Sequence, residues 1–366
     1  MTMQRFALLG AGFIGSVHAA NLAAHPDVDF ALVYDPDHER AAALASTYGT
    51  KATTDIGAAF DRNAIDAVFV ASSTDTHAKN LRRATDAGVA MLCEKPIDLD
   101  LRRATEVVRY ATERSARAMV DFNRRFDRDY TELKRVVDSG EIGEVELIQM
   151  STRGPAMPPL DYIAVSGGQM RDQTIHFFDL ARWIAGLDPT EVYATGSTLA
   201  EPRLADYGDV DTSAVTLRLP TGALVQIDSA RRTGYGYDER IEVLGSTGMA
   251  QARRHRTGAV SRYHAGRVID DGLTPAGSSV SSPPMLPPLT TLSPPWNTAT
   301  PSPPPSMTAS RPRRSPKPPP APSPAGKARR SPTSAPVLRC VRAGARPPTR
   351  FWYAAHEAFL RPLCRR

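Results

Sequence analysis

The chain has 366 residues, enough for about two domains, and its formal net charge is +6. Residues 273–366 carry 14 of the 45 basic residues and one of the 39 acidic ones, so the rest of the chain is acidic and unlike a nucleic-acid-binding protein. The three cysteines suit neither a disulfide framework nor a metal site, and neither a signal peptide nor a membrane span is predicted, so we expect a cytoplasmic protein without a metal.

The first predicted elements form a nucleotide-binding unit. A buried strand over residues 6–9 leads directly into the glycine motif G-x-G-x-x-G of residues 10–15, and a helix then runs to Pro26. A second strand, over residues 30–34, ends on Asp35. This order is typical of a dinucleotide fingerprint, in which the acid binds the adenosine ribose and repels a 2′-phosphate. We therefore predict NAD rather than NADP, bound by Gly10, Gly12, Phe13, Ile14, Gly15 and Asp35.

Strands and helices continue to alternate after this unit. Buried strands over residues 67–70 and 89–93 each lead into a polar loop, and residues 1–121 are predicted to form a Rossmann domain with a doubly wound parallel sheet. Because ligands bind at the carboxyl ends of such strands, the polar loops are predicted to face the cofactor. An ammonium at Lys95 can polarise a substrate oxygen there, although a lysine after a strand is more often exposed. The predicted cofactor contacts are Ser72, Thr74, His77, Glu94 and Lys95.

Residues 122–272 are predicted to form a second domain of the α+β type. Two glycines precede a predicted helix in which Asp172 and His176 stand four residues apart, on one face. A carboxylate beside an imidazole fixes its tautomer and tunes its proton affinity, whereas the same pattern also fits an acidic first turn and a core histidine. The other segments predict an open, mostly antiparallel sheet with one face available for subunit pairing. Its strands cover residues 145–150, 192–196, 214–219, 224–230 and 240–244, with a turn at 220–222.

Several collinear motifs resemble the glucose–fructose oxidoreductase and inositol dehydrogenase family. The segment Cys93-Glu94-Lys95-Pro96 resembles the E-K-P signature of that family. The resemblance covers residues 4–255, and within the family the motifs are similar in particular to those of the inositol dehydrogenases. The other motifs that carry it are the glycine motif with Asp35, the Thr76-His77 loop, and residues 121–127, 158–163, 166–168, 172–179, 181–182, 208–212 and 235–240.

This resemblance implies NAD-dependent oxidation of a secondary hydroxyl of a cyclitol, such as myo-inositol to its 2-keto form. In the family a Lys, an Asp and a His converge on the substrate, and they correspond to Lys95, Asp172 and His176. The histidine would take the hydroxyl proton, the aspartate would orient the imidazole, and the lysine would hold the oxygen while hydride leaves for the nicotinamide. The family is also expected to form homo-oligomers.

Four more residues are predicted to face a polyol substrate, although each also fits a surface or interface role. They are Asn123, Arg125, Tyr162 and Tyr235. Two departures from the family pattern concern the pocket: Gly154 stands where the inositol enzymes usually have Asp, and Phe177 stands where an acid is typical. These departures leave a related sugar dehydrogenase as an alternative, and a non-catalytic NAD-binding protein is a second alternative.

The last 94 residues, 273–366, contain 23 of the 32 prolines and are predicted to form a disordered tail. Their basic charge is compatible with binding to a nucleic acid or to an anionic membrane. The arginines, however, lie among prolines and belong to no folded binding motif, so neither kind of binding is favoured. Because the family resemblance stops near residue 255, we hypothesise that a shifted reading frame produced the tail and left the second domain incomplete. Translation of the other two frames tests this hypothesis, which fails if neither frame encodes a family-like ending.

Overall fold

The structure is a computed structural model that describes residues 3–253 and the strand segments 261–264, 267–270 and 341–342. Its first sheet has six strands: β1 (Gln4–Leu9), β2 (Val28–Tyr34), β3 (Lys51–Thr53), β4 (Ala67–Val70), β5 (Ala90–Glu94) and β6 (Ala118–Asp121). All neighbours are parallel and the strand order is 3-2-1-4-5-6, the doubly wound order of dinucleotide-binding domains. The helices of this part are α1 (Phe13–Ala24), α2 (His38–Tyr48), α3 (Thr74–Ala87) and α4 (Leu101–Glu113).

Burial explains why the central strands of this sheet are uninterrupted apolar runs. All four residues of β4 and the last four of β1 are buried, because parallel sheets are covered on both faces. Asp37 and Asp100 fix the starts of α2 and α4, since each carboxylate accepts hydrogen bonds from backbone N–H groups of the first turn. The predicted Rossmann sheet is confirmed, and β3 and β6 are strands that the sequence analysis had not predicted.

The second sheet is mixed, and it follows α5 (Arg128–Asp138). Its strands are β7 (Val145–Arg153), β8 (Glu191–Ser197), β9 (Thr212–Arg218), β10 (Leu224–Ala230), β11 (Asp238–Gly245), β12 (Met249–Ala252) and β15 (Val341–Arg342), in the order β12-β11-β7-β10-β9-β8-β15. A separate pair is formed by β13 (Ser261–His264) and β14 (Arg267–Asp270). Strands β7 and β10 are parallel and all other neighbours in the large sheet are antiparallel, so the predicted mostly antiparallel sheet is confirmed.

One face of this sheet packs on helices and the other is open. Along β9 and β10 every second residue is buried, including Val215, Leu217, Val225 and Ile227. Such alternation places one apolar face against the core, which also contains residues of α5 and of the helix that carries Phe177. The predicted turn at residues 220–222 joins β9 to β10 and is confirmed.

The segment between β7 and β8 contains three short helices rather than one long one. They are α6 (Leu160–Ser166), α7 (Gln169–Asp172) and α8 (Ile175–Ala185). The single helix predicted from Gly168 onward was therefore wrong at Gln173 and Thr174. The Gln173 amide donates to the carbonyl oxygens of Thr152 and Ala230, and the Thr174 hydroxyl bonds to that of Ser229. These bonds fasten the interruption to the ends of β7 and β10.

Two further predictions concern the C-terminal tail and membrane spans. The predicted disordered tail lies outside the described residues except for β15. Within the described residues, every helix is too short or too polar to pass through the hydrocarbon of a bilayer.

Candidate active site

The glycine motif has the geometry of a pyrophosphate-binding turn. Gly10 has φ of +103°, and a Cβ there would lie 2.7 Å from the backbone nitrogen of Ser72. A Cβ on Gly15 would lie 1.9 Å from the Gly10 oxygen, so only glycine lets α1 approach the strand this closely. Gly12 has no neighbouring atom within 4 Å of its Cβ position and caps α1 without a side-chain bond, which leaves the helix N–H groups open to an anion. The other two predicted motif residues, both exposed on the first turn of α1, are Phe13 and Ile14.

Asp35 lies directly after β2, beside the glycine turn. Its Oδ2 accepts a hydrogen bond from the Ala11 N–H at 2.8 Å, and its Oδ1 accepts one from the Asp37 N–H at 2.9 Å. The Arg40 guanidinium pairs with the same carboxylate at 3.1 Å. The carboxylate is therefore oriented at the end of β2, where the adenosine ribose binds in this fold.

The loop after β4 contains three more predicted cofactor residues. Thr74 begins α3, and the Ser72 hydroxyl bonds to that of Thr76 at 2.6 Å. His77 is buried, and its ring nitrogens lie 2.8 Å from the Pro96 oxygen and 2.9 Å from the Ser72 oxygen. Both nitrogens are thus occupied by carbonyl groups, and His77 braces the loops that follow β4 and β5.

Lys95 and Asp172 meet in the crevice above β5. The Lys95 Nζ donates to the Asp172 backbone oxygen at 2.9 Å and lies 3.6 Å from its Oδ1. The Asp172 carboxylate also accepts hydrogen bonds from the Tyr162 hydroxyl at 2.7 Å and from the Arg231 Nη1 at 3.0 Å. Burial and the nearby Asp172 carboxylate raise the pKa of Tyr162 well above its usual value, so the phenol stays protonated and donates.

His176 stands in the first turn of α8 and is 9% exposed. Burial lowers the pKa of His176 well below 6.5, and the positive charges of Arg124 and Lys95 lower it further, so the imidazole is neutral at neutral pH. Its ring lies edge-on to Phe122, with 6.4 Å between ring centroids. In the described part of the chain no hydrogen bond joins Asp172 to His176, and the buried Nδ1 has no partner. The expected orientation of this ring by Asp172 therefore stays a prediction.

Two arginines at the site were not identified from the sequence. The Arg231 side chain is 1% exposed and joins Asp172 to Asp209, at 3.0 and 3.2 Å. Arg124 forms a two-pronged pair with Glu239 at 2.6 and 3.1 Å, and the charge of its guanidinium lowers the pKa of His176. Both arginines belong to Arg-Arg dipeptides, in which the sequence does not indicate the buried member.

Three residues predicted to contact the substrate have the following surroundings, and their contact with substrate stays a prediction. The Arg125 guanidinium binds Asp179 through two bonds of 2.7 and 2.6 Å, and the Tyr235 hydroxyl donates to Asp238 at 2.9 Å. The Asn123 Oδ1 is buried without a partner among the described residues. Phe177 is fully buried in the apolar core of the second sheet, so this departure from the family pattern does not shape the pocket.

The dinucleotide turn, together with the similarity to known dehydrogenases, defines an NAD-dependent dehydrogenase that acts on a CH–OH group. Residues 4–122 match the sequence profile of the oxidoreductase family with an NAD-binding Rossmann fold, and residues 130–251 match that of the GFO/IDH/MocA C-terminal domain. The chain belongs to the GFO/IDH/MocA family of oxidoreductases.

Three similar proteins extend this comparison. The inositol 2-dehydrogenase of Rhizobium meliloti is 44% identical over 254 residues, which are 69% of this chain and 76% of the relative. The crystal structure of a myo-inositol dehydrogenase from Corynebacterium glutamicum has a TM-score of 0.71 and 39% identity, and covers 75% of this chain and 82% of that one. The scyllo-inositol dehydrogenase from Lactobacillus casei, solved with NAD(H) and scyllo-inositol, has a TM-score of 0.68 and 26% identity, with coverage of 75% and 83%.

Proposed function

We propose that this protein oxidises a secondary hydroxyl of a cyclitol, converting myo-inositol to 2-keto-myo-inositol (scyllo-inosose). The names of the similar proteins support a cyclitol, because relatives with 44% and 41% identity are an inositol 2-dehydrogenase and a myo-inositol 2-dehydrogenase. The observation that carries the proposal is the cluster of Lys95 and Asp172 with a neutral His176 at the cofactor edge of the first sheet. NAD supplies the hydride acceptor when it is bound.

The proposed roles follow from charge and protonation. A neutral imidazole can accept a proton, and His176 is kept neutral by burial and by two nearby cations, so it suits the base that removes the hydroxyl proton. The Lys95 ammonium, fixed by the Asp172 backbone oxygen, would hold the substrate oxygen and stabilise negative charge that develops on it. Asp172, held by Tyr162 and Arg231, would fix the lysine and accept a hydrogen bond from a second hydroxyl.

The proposal is tested by NADH absorbance with a panel of myo-inositol, scyllo-inositol and several aldose sugars. Turnover of an aldose but not of either inositol would indicate the sugar dehydrogenase, and binding of NAD without turnover of any compound would indicate a non-catalytic protein. Lys95→Ala and His176→Ala should abolish turnover and leave NAD binding measurable. The matched control is Lys79→Ala, because Lys79 is exposed on α3. If either site variant keeps the wild-type rate, the assigned role is wrong.

We also propose that the open face of the second sheet pairs with another copy of the chain. This face exposes Tyr193, Leu244 and Met249 at 44%, 41% and 53%, and the strand register places them on the same side. Exposed apolar residues on an open sheet are typical of a subunit interface. Light scattering after size exclusion should give a multiple of 39.6 kDa, and Leu244→Lys should reduce it. A wild-type protein that is monomeric at micromolar concentration contradicts this proposal.

A further inference from the structure

A second ionisable cluster lies behind Lys95, in the interior of the first domain. His18 is on α1, which begins at the glycine turn, while Glu94 and Asp121 are the last residues of the neighbouring strands β5 and β6. The His18 Nε2 lies 2.9 Å from a Glu94 oxygen and 3.6 Å from an Asp121 oxygen. The side chains of His18 and Asp121 are only 4% and 5% exposed. The imidazole also stacks on Phe69, with 3.9 Å between ring centroids.

The arrangement requires a shared proton. His18 has one nitrogen facing the two carboxylates and can donate one hydrogen bond, to one of them at a time. Two buried carboxylates this close cannot both ionise without cost, so one of them is held partly protonated near neutrality. Burial and the negative charge of Glu94 raise the pKa of Asp121 to about 7, against the opposing effect of His18 and Lys95. Burial opposes ionisation of Glu94, but its hydrogen bond with His18 and the charge of Lys95 lower its pKa overall, so Asp121 is the carboxyl that holds the proton.

The groups packed around Asp121 limit what else can titrate with it. They are the Glu94 carboxylate and the Cys93 thiol on β5, the Lys95 ammonium directly after β5, and His18 on α1. Burial raises the pKa of Cys93 well above its usual value, so this thiol stays neutral. One ligand atom each from His18, Glu94 and Asp121 lies within 4.8 Å of the other two, a spacing that also suits a divalent cation. The His18–Glu94 bond and the adjacent ammonium favour a proton over a dication.

This cluster is joined to both halves of the cofactor site. The second oxygen of Glu94 accepts a hydrogen bond from the Lys95 backbone N–H at 3.1 Å, while the lysine side chain reaches Asp172. His18 lies on the helix whose first turn receives the pyrophosphate. The net charge of the cluster therefore acts at the carboxyl end of β5, which is where a nicotinamide binds in a doubly wound sheet.

We propose that His18, Glu94 and Asp121 form a shared-proton site that makes the preference between oxidised and reduced NAD depend on pH near neutrality. The nicotinamide ring is positively charged when oxidised and neutral when reduced. Loss of the shared proton adds one negative charge near that ring, so a higher pH favours NAD⁺ relative to NADH. The inference rests on the cofactor site and is independent of the proposed substrate and of the roles of His176 and Asp172.

The test is the dissociation constant of each cofactor, measured by calorimetry on the full chain without substrate, at about pH 6 and about pH 8. The ratio of the NADH constant to the NAD⁺ constant should rise about fivefold over this range, the size expected for one unit charge near the ring. Burial and the charges of Arg124 and Lys95 lower the pKa of His176 well below 6.5, so its imidazole is mainly neutral over this range. A ratio that stays constant in the wild-type protein overturns the proposal.

Asp121→Asn removes the titrating carboxyl while keeping its shape, and it should make the ratio independent of pH. The control is Asp66→Asn, the same change directly before β4, at the amino end of the strands, where the carboxylate pairs with Arg5. This variant should keep the wild-type rise of the ratio with pH. If Asp121→Asn does not fold, His18→Gln serves as the second variant. Because His18 lowers the pKa of Asp121, its loss should move the rise of the ratio to higher pH. A variant that keeps the wild-type pH dependence contradicts the proposal, as does a dependence that disappears when a chelator is added.

Discussion

Replacement of Arg231 by methionine should strongly destabilise the second domain. The Arg231 side chain is 1% exposed, and its guanidinium is the cationic partner of the Asp172 and Asp209 carboxylates. The side chains of these two residues are 14% and 7% exposed. Methionine fills the space of the aliphatic stem but leaves both carboxylates without this partner. Breaking a buried ion pair by removing one member costs about 3–5 kcal/mol, and the remaining Lys95 contact to Asp172 places the expected loss near the lower end, about 3 kcal/mol.

The assay is urea unfolding followed by circular dichroism, with Arg232→Met as the matched control. Arg232 is the next residue and is exposed, so its replacement should change the free energy of unfolding by less than about 0.5 kcal/mol. Arg231→Lys keeps the positive charge, but an ammonium lacks the planar fork that reaches both carboxylates. The free energy of unfolding of this variant should therefore lie between those of the wild type and Arg231→Met. A loss below about 1 kcal/mol for Arg231→Met, or equal losses at both positions, would refute the reasoning.

Three further predictions concern the histidine and the glycines. The pKa of His176 in the folded protein lies below 6.5, so the unfolded chain binds more protons and the free energy of unfolding falls as the pH drops below about 6.5. In urea titrations, His176→Gln should lose less stability than the wild type over this range. An identical loss in the two proteins would contradict this prediction. Gly168→Ala combines φ of +86° with a Cβ 2.9 Å from a carboxylate oxygen and should cost about 2–3 kcal/mol in thermal unfolding, against about 1 for Gly186→Ala, which has φ of +65° and no close neighbour. Gly12→Ala should leave the melting temperature unchanged but weaken NAD binding about tenfold or more, whereas Gly15→Ala should lower the melting temperature; the reverse pattern would refute the assigned geometry.

The first domain was largely predictable because its signals are local. A buried strand, a glycine turn and an acid at the end of the next strand are adjacent in the chain, and the hydrogen bonds of Asp35 to the turn agree with that order. Strand β6 was missed because it has only four residues, Ala-Met-Val-Asp, and lies at the edge of the sheet. Periodicity alone does not distinguish so short an apolar run from part of a helix or a loop.

The site in the second domain was predicted less completely because its contacts join distant residues. Helical spacing placed Asp172 and His176 on one face, but the Gln173 amide bonds two strand ends and interrupts the helix. No local pattern indicates that the second arginine of 124–125 pairs with Asp179 and that the first lies close to His176. Such pairings depend on tertiary distance, which periodicity does not encode.

The parallel pairing of β7 with β10 affects how the protein folds. The side chains of Ser151 and Asp228, which are joined by a hydrogen bond across this pair, lie 77 residues apart in the chain. The intervening segment carries α6, α7 and α8, together with β8 and β9. Contacts of such long sequence separation form slowly, because the chain entropy of closing the loop must be overcome first. We therefore expect the strand ends that hold Gln173, and with them the neighbouring Asp172, to take their final positions only after this long loop has closed.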